Sequence, residues 1–582
     1  MKPRWLRNLR VFSALALWCT LVVAASAKDV VYEVEVLADA KIPMSDGTNL
    51  AANIFQPKAE GKFPTVLVRS PYGKGGTEGG PGHSYASRGY VYISQDCRGK
   101  GASEGEWTPF VNEARDGKDT HRWILDQPWS NGTIGTAGGS YVGYTQWISA
   151  PDAGEYLKAM FPVVPLIDPY GDVAYVNGAF QLSLMMGWGA GVSGRSEARG
   201  WDDEAWLKAF RTLPLARWDS AIGGEVQYLR DWVAHPHFDS YWAQGSLRGR
   251  EKDITTPICV IGGWYDIFAN SVFEHMNEVR KQTQRDDIKK HLHLIMGPWV
   301  HGISKDGKVG GMDFGKEAVV DLNSIQTRWL DHWLKGKETD VDQWPPFRIF
   351  VMGRNQWRDE QEWPLARTRY IPYYFHSQGS ANSLAGNGKL DTAKPGEEPA
   401  DGYVYDPEDP VPTLGGCNLG KCPVGPHDQT IAEQRQDVLV YTSEELTNEL
   451  EVTGGVKVVL YASSSATDTD WTAKLVDVDP DGRAINLCDG ILRARYRESA
   501  VEPALIEPGK VYPYEIDLWV TSNVFLPGHR IRVEISSSNF PRFDRNPNTG
   551  HKFGADAEMQ KATQSVHHEG QYPSHILLPV IP

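Results

Sequence analysis

Ile134-Gly135-Thr136-Ala137-Gly138-Gly139-Ser140-Tyr141-Val142-Gly143 reads as a short apolar strand that breaks at a Gly-Gly-Ser turn and continues as a helix-like stretch to Ala150. A turn this tight tolerates only small side chains, and it lifts the serine hydroxyl clear of the sheet end. Ser140 is therefore the candidate nucleophile. Gly143 lets the following helix pack closely, although Val142 stands where the usual G-x-S-x-G pattern has its last glycine.

A hydroxyl attacks poorly unless a base removes its proton and a third group orients that base. Both partners are found further along. Gly263-Trp264-Tyr265-Asp266 follows the apolar run Ile258 to Ile261, and Gly297-Pro298-Trp299-Val300-His301 follows Leu292 to Ile295. Each candidate stands just past the carboxyl end of a strand, where open α/β sheets hold their ligands. The order Ser140, Asp266, His301 is the α/β-hydrolase order, and the stretch between the first two leaves room for an inserted cap. His83 and His121 do not follow strands in this order.

Outward from these residues the chain shows three textures. From Val31 to about Lys335 short apolar runs such as Thr65 to Val68 and Val91 to Ser94 alternate with helical stretches, which predicts a covered parallel sheet. Between residues 167 and 250 lie six of the 21 tryptophans together with helix-like segments, Asp202 to Arg211 among them. This reads as a helical cap, either packed for its own sake or roofing an apolar pocket. From about Pro345 the segments become β-rich, as in Val456 to Tyr461 and Ile531 to Ser536, the pattern of a β-sandwich. The expected division is 28–166 and 251–342 for the two parts of an α/β domain, 167–250 for the cap and 343–582 for the sandwich.

The 582 residues are 41% hydrophobic and 23% charged, the balance of a soluble globular protein of several domains. A net charge of −15 leaves no general attraction for nucleic acid or anionic lipid, so neither is an expected partner. Lys2, Arg4, Arg7 and Arg10, the apolar run Val11 to Val23 and Ala25-Ser26-Ala27 form the pattern of a signal peptide over residues 1–27, too short to span a bilayer. The mature chain is expected to be exported, to the periplasm or outside the cell, with no membrane contact after cleavage. In an oxidising compartment Cys417 and Cys422 are expected to close a short disulfide loop. His235-Pro-His237 and His291-Leu-His293 lack further ligands at metal-site spacing, so no metal and no cofactor is expected.

With these residues in place, the sequence resembles the cocaine esterase-type (CocE/NonD) hydrolases, a group that includes glutaryl-7-aminocephalosporanic acid acylases, α-amino acid ester hydrolases and X-Pro dipeptidyl peptidases. The resemblance runs through Met44-Ser45-Asp46-Gly47-Thr48, Arg69-Ser70-Pro71-Tyr72, Gln95-Asp96-Cys97-Arg98-Gly99 and Gln127-Pro128-Trp129-Ser130-Asn131-Gly132. It continues through Gly138 to Gly143, Gly263 to Asp266, Gly297-Pro298-Trp299 with His301, Pro412 to Gly416 and Gly425-Pro426-His427-Asp428-Gln429. It implies an α/β-hydrolase domain with an inserted helical cap and a C-terminal jelly-roll. It also implies that Ser140 attacks an acyl carbonyl, that His301 carries the proton, and that Asp266 orients His301. The oxyanion hole would combine the Tyr72 hydroxyl with the backbone N–H of Tyr141. Trp264 and Phe268, beside the triad aspartate, are expected to line the substrate pocket.

The α-amino ester hydrolases of this group bind a substrate ammonium partly through acids just after the triad aspartate. Here those positions read Ile267-Phe268-Ala269-Asn270, which supply no anion. A cationic acyl group would then be buried unpaired, so a neutral ester or amide is the expected small-molecule substrate. An X-Pro or other N-terminal peptidase, or a β-lactam acylase, stays open on the same scaffold, because Asp172, Asp202, Asp203 or Glu204 of the cap could reach the pocket. A carbohydrate-binding protein with a vestigial hydrolase domain is the reading from another class. Self-association into a homo-oligomer stays open.

Overall fold

Inner runs rich in Val and Ile, such as Val91–Asp96 and Ile258–Gly263, extend as strands and bury both faces, while the edge strands are partly exposed. Ten strands form the N-terminal sheet of the computed structural model: β1 (Val34–Pro43), β2 (Asn49–Pro57), β3 (Phe63–Ser70), β4 (Val91–Asp96), β5 (Ser130–Gly139), β6 (Leu157–Val163), β7 (Ile258–Gly263), β8 (Leu292–Gly297), β9 (Phe347–Val351) and β10 (Gln356–Glu360). Their spatial order is β1-β2-β4-β3-β5-β6-β7-β8-β9-β10. From β4 to β9 every neighbour is parallel, while β2 runs against both β1 and β4. Residues 31–194 and 203–582 are described; the expected signal peptide (1–27) and Asp202 lie outside the described residues. Among the described residues no helix is long and apolar enough to cross a membrane.

Helices between the strands supply the cover that a parallel sheet needs. The helix Leu322–Lys335 buries Trp329, Leu330 and Leu334, starts on an Asp321 side-chain cap and ends at Gly336 in the left-handed region, φ 64°. Burial of each such side chain contributes roughly 1.5–3 kcal/mol. Between β6 and β7 the chain leaves the sheet and builds the cap, with helices Leu182–Gly191, Asp203–Phe210 and Gln227–Ala234. Trp206, Trp218, Trp232 and Trp242 are buried in its core, which is continuous with Phe540 and Phe543 of the C-terminal domain.

That domain is a β-sandwich of eleven strands. Period-two patterning is plain in Asp401–Tyr405, where Asp401, Tyr403 and Tyr405 point inward and Gly402 and Val404 outward. Strand Ala484–Arg493 packs on Tyr512–Phe525 without pairing to it, as facing layers do. In this domain His568, fully buried, is held by Asp401 (Nε2 to Oδ2, 3.0 Å) and Glu398 (Nδ1 to Oε2, 3.1 Å). Burial alone would lower its pKa, but the two carboxylates outweigh it and raise the pKa above the ordinary histidine value.

A raised folded-state pKa stabilises the fold fully below the unfolded value of about 6.5 and is lost as pH rises through the folded value. The melting temperature is therefore expected to fall on the alkaline side of about 6.5. In His568→Gln that decline should be shallower, on a lower baseline. Parallel alkaline limbs in thermal melts across this range would show that His568 contributes nothing to it.

Candidate active site

The sheet register brings the carboxyl ends of four strands level. Gly139 of β5 pairs with Val163 of β6, Val163 with Ile261 of β7, and Gly263 of β7 with Gly297 of β8. Ser140, Asp266 and His301 leave the sheet one, three and four residues past Gly139, Gly263 and Gly297, so three segments far apart in sequence emerge along one edge.

Ser140 joins β5 to the helix Tyr141–Ser149 with φ 58° and ψ −127°, a conformation that costs a non-glycine residue of order 1–3 kcal/mol. Several contacts fix it. Ser140 N–H donates to Val163 O at 2.9 Å, and its own carbonyl accepts the amides of Gly143 and Tyr144. Gly138, at φ 129°, faces Val142 so closely that a Cβ there would lie 2.3 Å from a Val142 methyl, and a Cβ on Gly143 would lie 2.7 Å from Pro165. The elbow thus needs these glycines for space.

Tyr141 fills the first helical position, where a backbone N–H has no helical acceptor and the helix dipole favours negative charge. Its side chain is an anchor beneath the elbow: the hydroxyl accepts Phe110 N–H at 2.8 Å and donates to Glu113 Oε1 at 3.1 Å. Glu113 in turn pairs with Arg69 at 3.0 Å, both almost wholly buried. This network was not read from the sequence. The run Arg69-Ser70-Pro71-Tyr72 was the available signal, since a buried arginine on a strand demands a carboxylate partner.

His301 Nδ1 lies 3.0 Å from Asp266 Oδ2, while Asp266 Oδ1 accepts Phe268 N–H at 2.7 Å. The carboxylate is thereby fixed at both oxygens and buried, and the imidazole is left with Nε2 for another partner. Phe268 meets the imidazole edge-to-face, with ring centroids 5.3 Å apart.

Tyr72 follows β3, and the Ser140 side chain is near enough to its hydroxyl to lower the phenol pKa. Tyr72 is 53% exposed, and desolvation of its phenol raises the pKa against the lowering effect of Trp188 and Ser140. At neutral pH Tyr72 is a neutral donor. Trp188, from the cap helix Leu182–Gly191, donates its indole N–H to the Tyr72 oxygen at 3.2 Å. The tryptophan-rich cap pointed to this aromatic surface without singling out Trp188.

Two expectations are corrected. Trp264 does not line a pocket: it is fully buried, its N–H donates to Phe350 O of β9 at 2.7 Å, and it stacks on Phe273 in the core. Placing the indole there satisfies its one donor, which an apolar pocket would leave unpaired. Cys417 and Cys422 are free thiols, with Cys417 Sγ against Trp264 O and Cys422 Sγ against Asn418 Oδ1, both at 3.2 Å. Their loop is closed instead by reciprocal backbone bonds between Gly416 and Gly425, at 2.7 and 3.0 Å. Of the cap acids, Asp172 binds the amides of Ile167 and Asp168 and the Ser271 hydroxyl, while Asp203 and Glu204 are exposed. Among the described residues no His, Cys, Asp or Glu cluster is arranged to hold a metal.

Residues 46–303 match the X-Pro dipeptidyl-peptidase (S15 family) domain, and residues 339–577 the X-Pro dipeptidyl-peptidase C-terminal non-catalytic domain. Over 574 residues, 94% of this chain and 98% of the relative, the sequence is 41% identical to the cocaine esterase of Rhodococcus sp. (strain MB1 Bresler). The chain belongs to the S15 family of serine hydrolases, with the cocaine esterase-type enzymes. Solved structures similar to this S15 hydrolase include the aminopeptidase from the marine sediment archaeon Thaumarchaeota archaeon, at 28% identity and TM-score 0.81, covering 97% of this chain and 99% of that one. An α-amino acid ester hydrolase is similar at 26% identity and TM-score 0.80, covering 98% and 100%. The α/β-hydrolase domain with inserted cap and C-terminal sandwich is thus the architecture of this S15 hydrolase.

Proposed function

We propose that the chain is an exported serine hydrolase that cleaves an ester or amide of a small to medium neutral acyl group through Ser140, His301 and Asp266. The observation that carries this reading is the His301–Asp266 contact at 3.0 Å on the strand edge that also presents the strained Ser140 beside Tyr72. Ser140 Oγ would attack the acyl carbon while His301 Nε2 takes its proton, with Asp266 holding the Nδ1–H tautomer. The carbonyl oxygen, now negative, would lie between the Tyr72 hydroxyl and the Tyr141 N–H. Return of the proton from His301 expels the alcohol or amine and leaves the acyl group on Ser140. Water, deprotonated by His301, then releases the acid and restores the serine.

A neutral acyl group is favoured by the surroundings of the reacting groups. Phe268 stands against His301 and Trp188 against Tyr72, while Asp172 is engaged by backbone amides and Ser271. The 41% identity to an enzyme named cocaine esterase also supports ester hydrolysis, whereas the S15 match keeps the X-Pro peptidase as the second reading.

One experiment separates them. The purified protein is treated with a fluorophosphonate, the labelled peptide is identified by mass spectrometry, and turnover is compared on p-nitrophenyl acetate, butyrate and benzoate, an acyl anilide and Gly-Pro-p-nitroanilide. Labelling at Ser140 with esters turned over fastest is expected. Preference for Gly-Pro-p-nitroanilide would replace the esterase reading with the peptidase, and absence of labelling would remove the serine mechanism. N-terminal sequencing of the mature protein should begin at Lys28 if export proceeds as proposed.

A further inference from the structure

Trp188 is the one cap residue whose polar atom meets an oxyanion-hole candidate in the hydrogen bonds described, at 3.2 Å from the Tyr72 oxygen. An indole N–H can only donate. Tyr72 must therefore accept from Trp188, and the phenol proton cannot be directed there. It is left for the Ser140 side, where a carbonyl oxygen would become an oxyanion. Donation to a hydroxyl oxygen also polarises its O–H and makes it a better donor in turn.

The indole is held firmly enough to impose this direction. It stacks on Phe110 at 5.6 Å, on Tyr141 at 5.7 Å and on Trp232 at 6.2 Å. The same ring thus touches Tyr72 through its N–H and the Tyr141 side chain through its face. Its helix is fixed from two directions. Lys100 of the hydrolase domain donates to the carbonyls of Val192 and Gly194 at the helix end, and Ser183 N–H donates to Pro541 O of the sandwich at 3.0 Å.

We propose that Trp188 is a positioning residue of the oxyanion hole: its N–H sets the Tyr72 hydroxyl as a donor toward the reacting carbonyl, so seating the cap and completing the hole are one event. This rests on Ser140 being the nucleophile. Loss of a hydrogen bond of this kind is expected to change the rate about three- to tenfold, equivalent to about 0.65–1.4 kcal/mol.

The test is a double-mutant cycle with p-nitrophenyl acetate hydrolysis and the second-order rate of fluorophosphonate labelling as readouts. Trp188→Phe is expected to lower kcat about three- to tenfold with KM within about twofold, and to slow labelling by a similar factor. Tyr72→Phe with Trp188→Phe should be no slower than Tyr72→Phe alone, because the indole acts through the phenol. Benzothienylalanine introduced at position 188 keeps the ring shape without the N–H and should reproduce the loss. Wild-type kcat in the benzothienylalanine protein, or a double variant slowed by the product of the two single losses, would overturn the proposal. Label found on a residue other than Ser140 in the wild-type protein would instead overturn the nucleophile assignment on which it rests.

Discussion

Ser140→Ala is expected to lower kcat by about 10⁶, to the level left by binding and the oxyanion hole, and to abolish fluorophosphonate labelling. The size follows from chemistry: without Oγ no acyl-enzyme forms, and water would have to attack directly from a site shaped for another geometry. Loss through misfolding is a weak competitor. Alanine keeps the Cβ that serine already places at φ 58°, so it adds no backbone strain, and the contacts fixing the elbow come from the main chain. The Tyr72 hydroxyl loses one neighbour but keeps Trp188, and its half-exposed ring admits water. The melting temperature should stay within a few degrees of wild type. Residual activity within 10²-fold of wild type, measured on protein free of revertant enzyme, would show that another group attacks the substrate.

The parts of this site that were legible beforehand are those with a local signature. A Gly-Gly-Ser turn after an apolar strand announces an elbow because tight turns exclude Cβ atoms. An acid and a histidine just past two later strands became candidates by their order, and the structure sets Asp266 and His301 3.0 Å apart. Tyr72, proposed as the oxyanion phenol, was singled out only by resemblance, together with its position after the strand containing Val66 to Val68.

What stayed hidden depends on contacts between segments remote in sequence. Nothing in Gly187-Trp188-Gly189 tells that this indole, and not that of Trp232, reaches Tyr72, because the choice is made by how the cap helix lies over the sheet. Trp264 was misassigned for the same reason. A tryptophan beside a candidate catalytic acid can face the cavity or the core, and the acceptor that settles it, Phe350 O, is 86 residues away. The Cys417 and Cys422 spacing suggested a cross-link, yet the Gly416–Gly425 backbone pair closes the loop while the two sulfurs point to different acceptors. The large sheet and sandwich were readable because period-two and strand-helix alternation repeat over many residues, so no single pairing had to be guessed.

Tyr72→Phe is the second large effect, and its size separates an oxyanion donor from a wall of the pocket. Removing one donor from an oxyanion hole lowers kcat by about 10²–10³, since the bond strengthens as the carbonyl oxygen gains charge. A phenol that merely lined the pocket would change KM and leave kcat near wild type. The expected result is therefore a fall in kcat and kcat/KM by similar factors, with KM little changed. The Tyr141 N–H remains as the second donor, which is why activity should stay measurable and well above that of Ser140→Ala. Folding should not intervene, because Tyr72 is half-exposed and, among the described residues, its hydroxyl is hydrogen-bonded by a tryptophan that can turn to water instead. The pH profile adds an independent check. Burial holds the phenol pKa above its ordinary value of 10, so the donor stays protonated through neutral and mildly alkaline pH, and any alkaline fall in wild-type kcat near 8 to 9 should persist unchanged in Tyr72→Phe. Equal kcat for Tyr72→Phe and wild type would remove Tyr72 from the hole and leave the Tyr141 amide with some other partner.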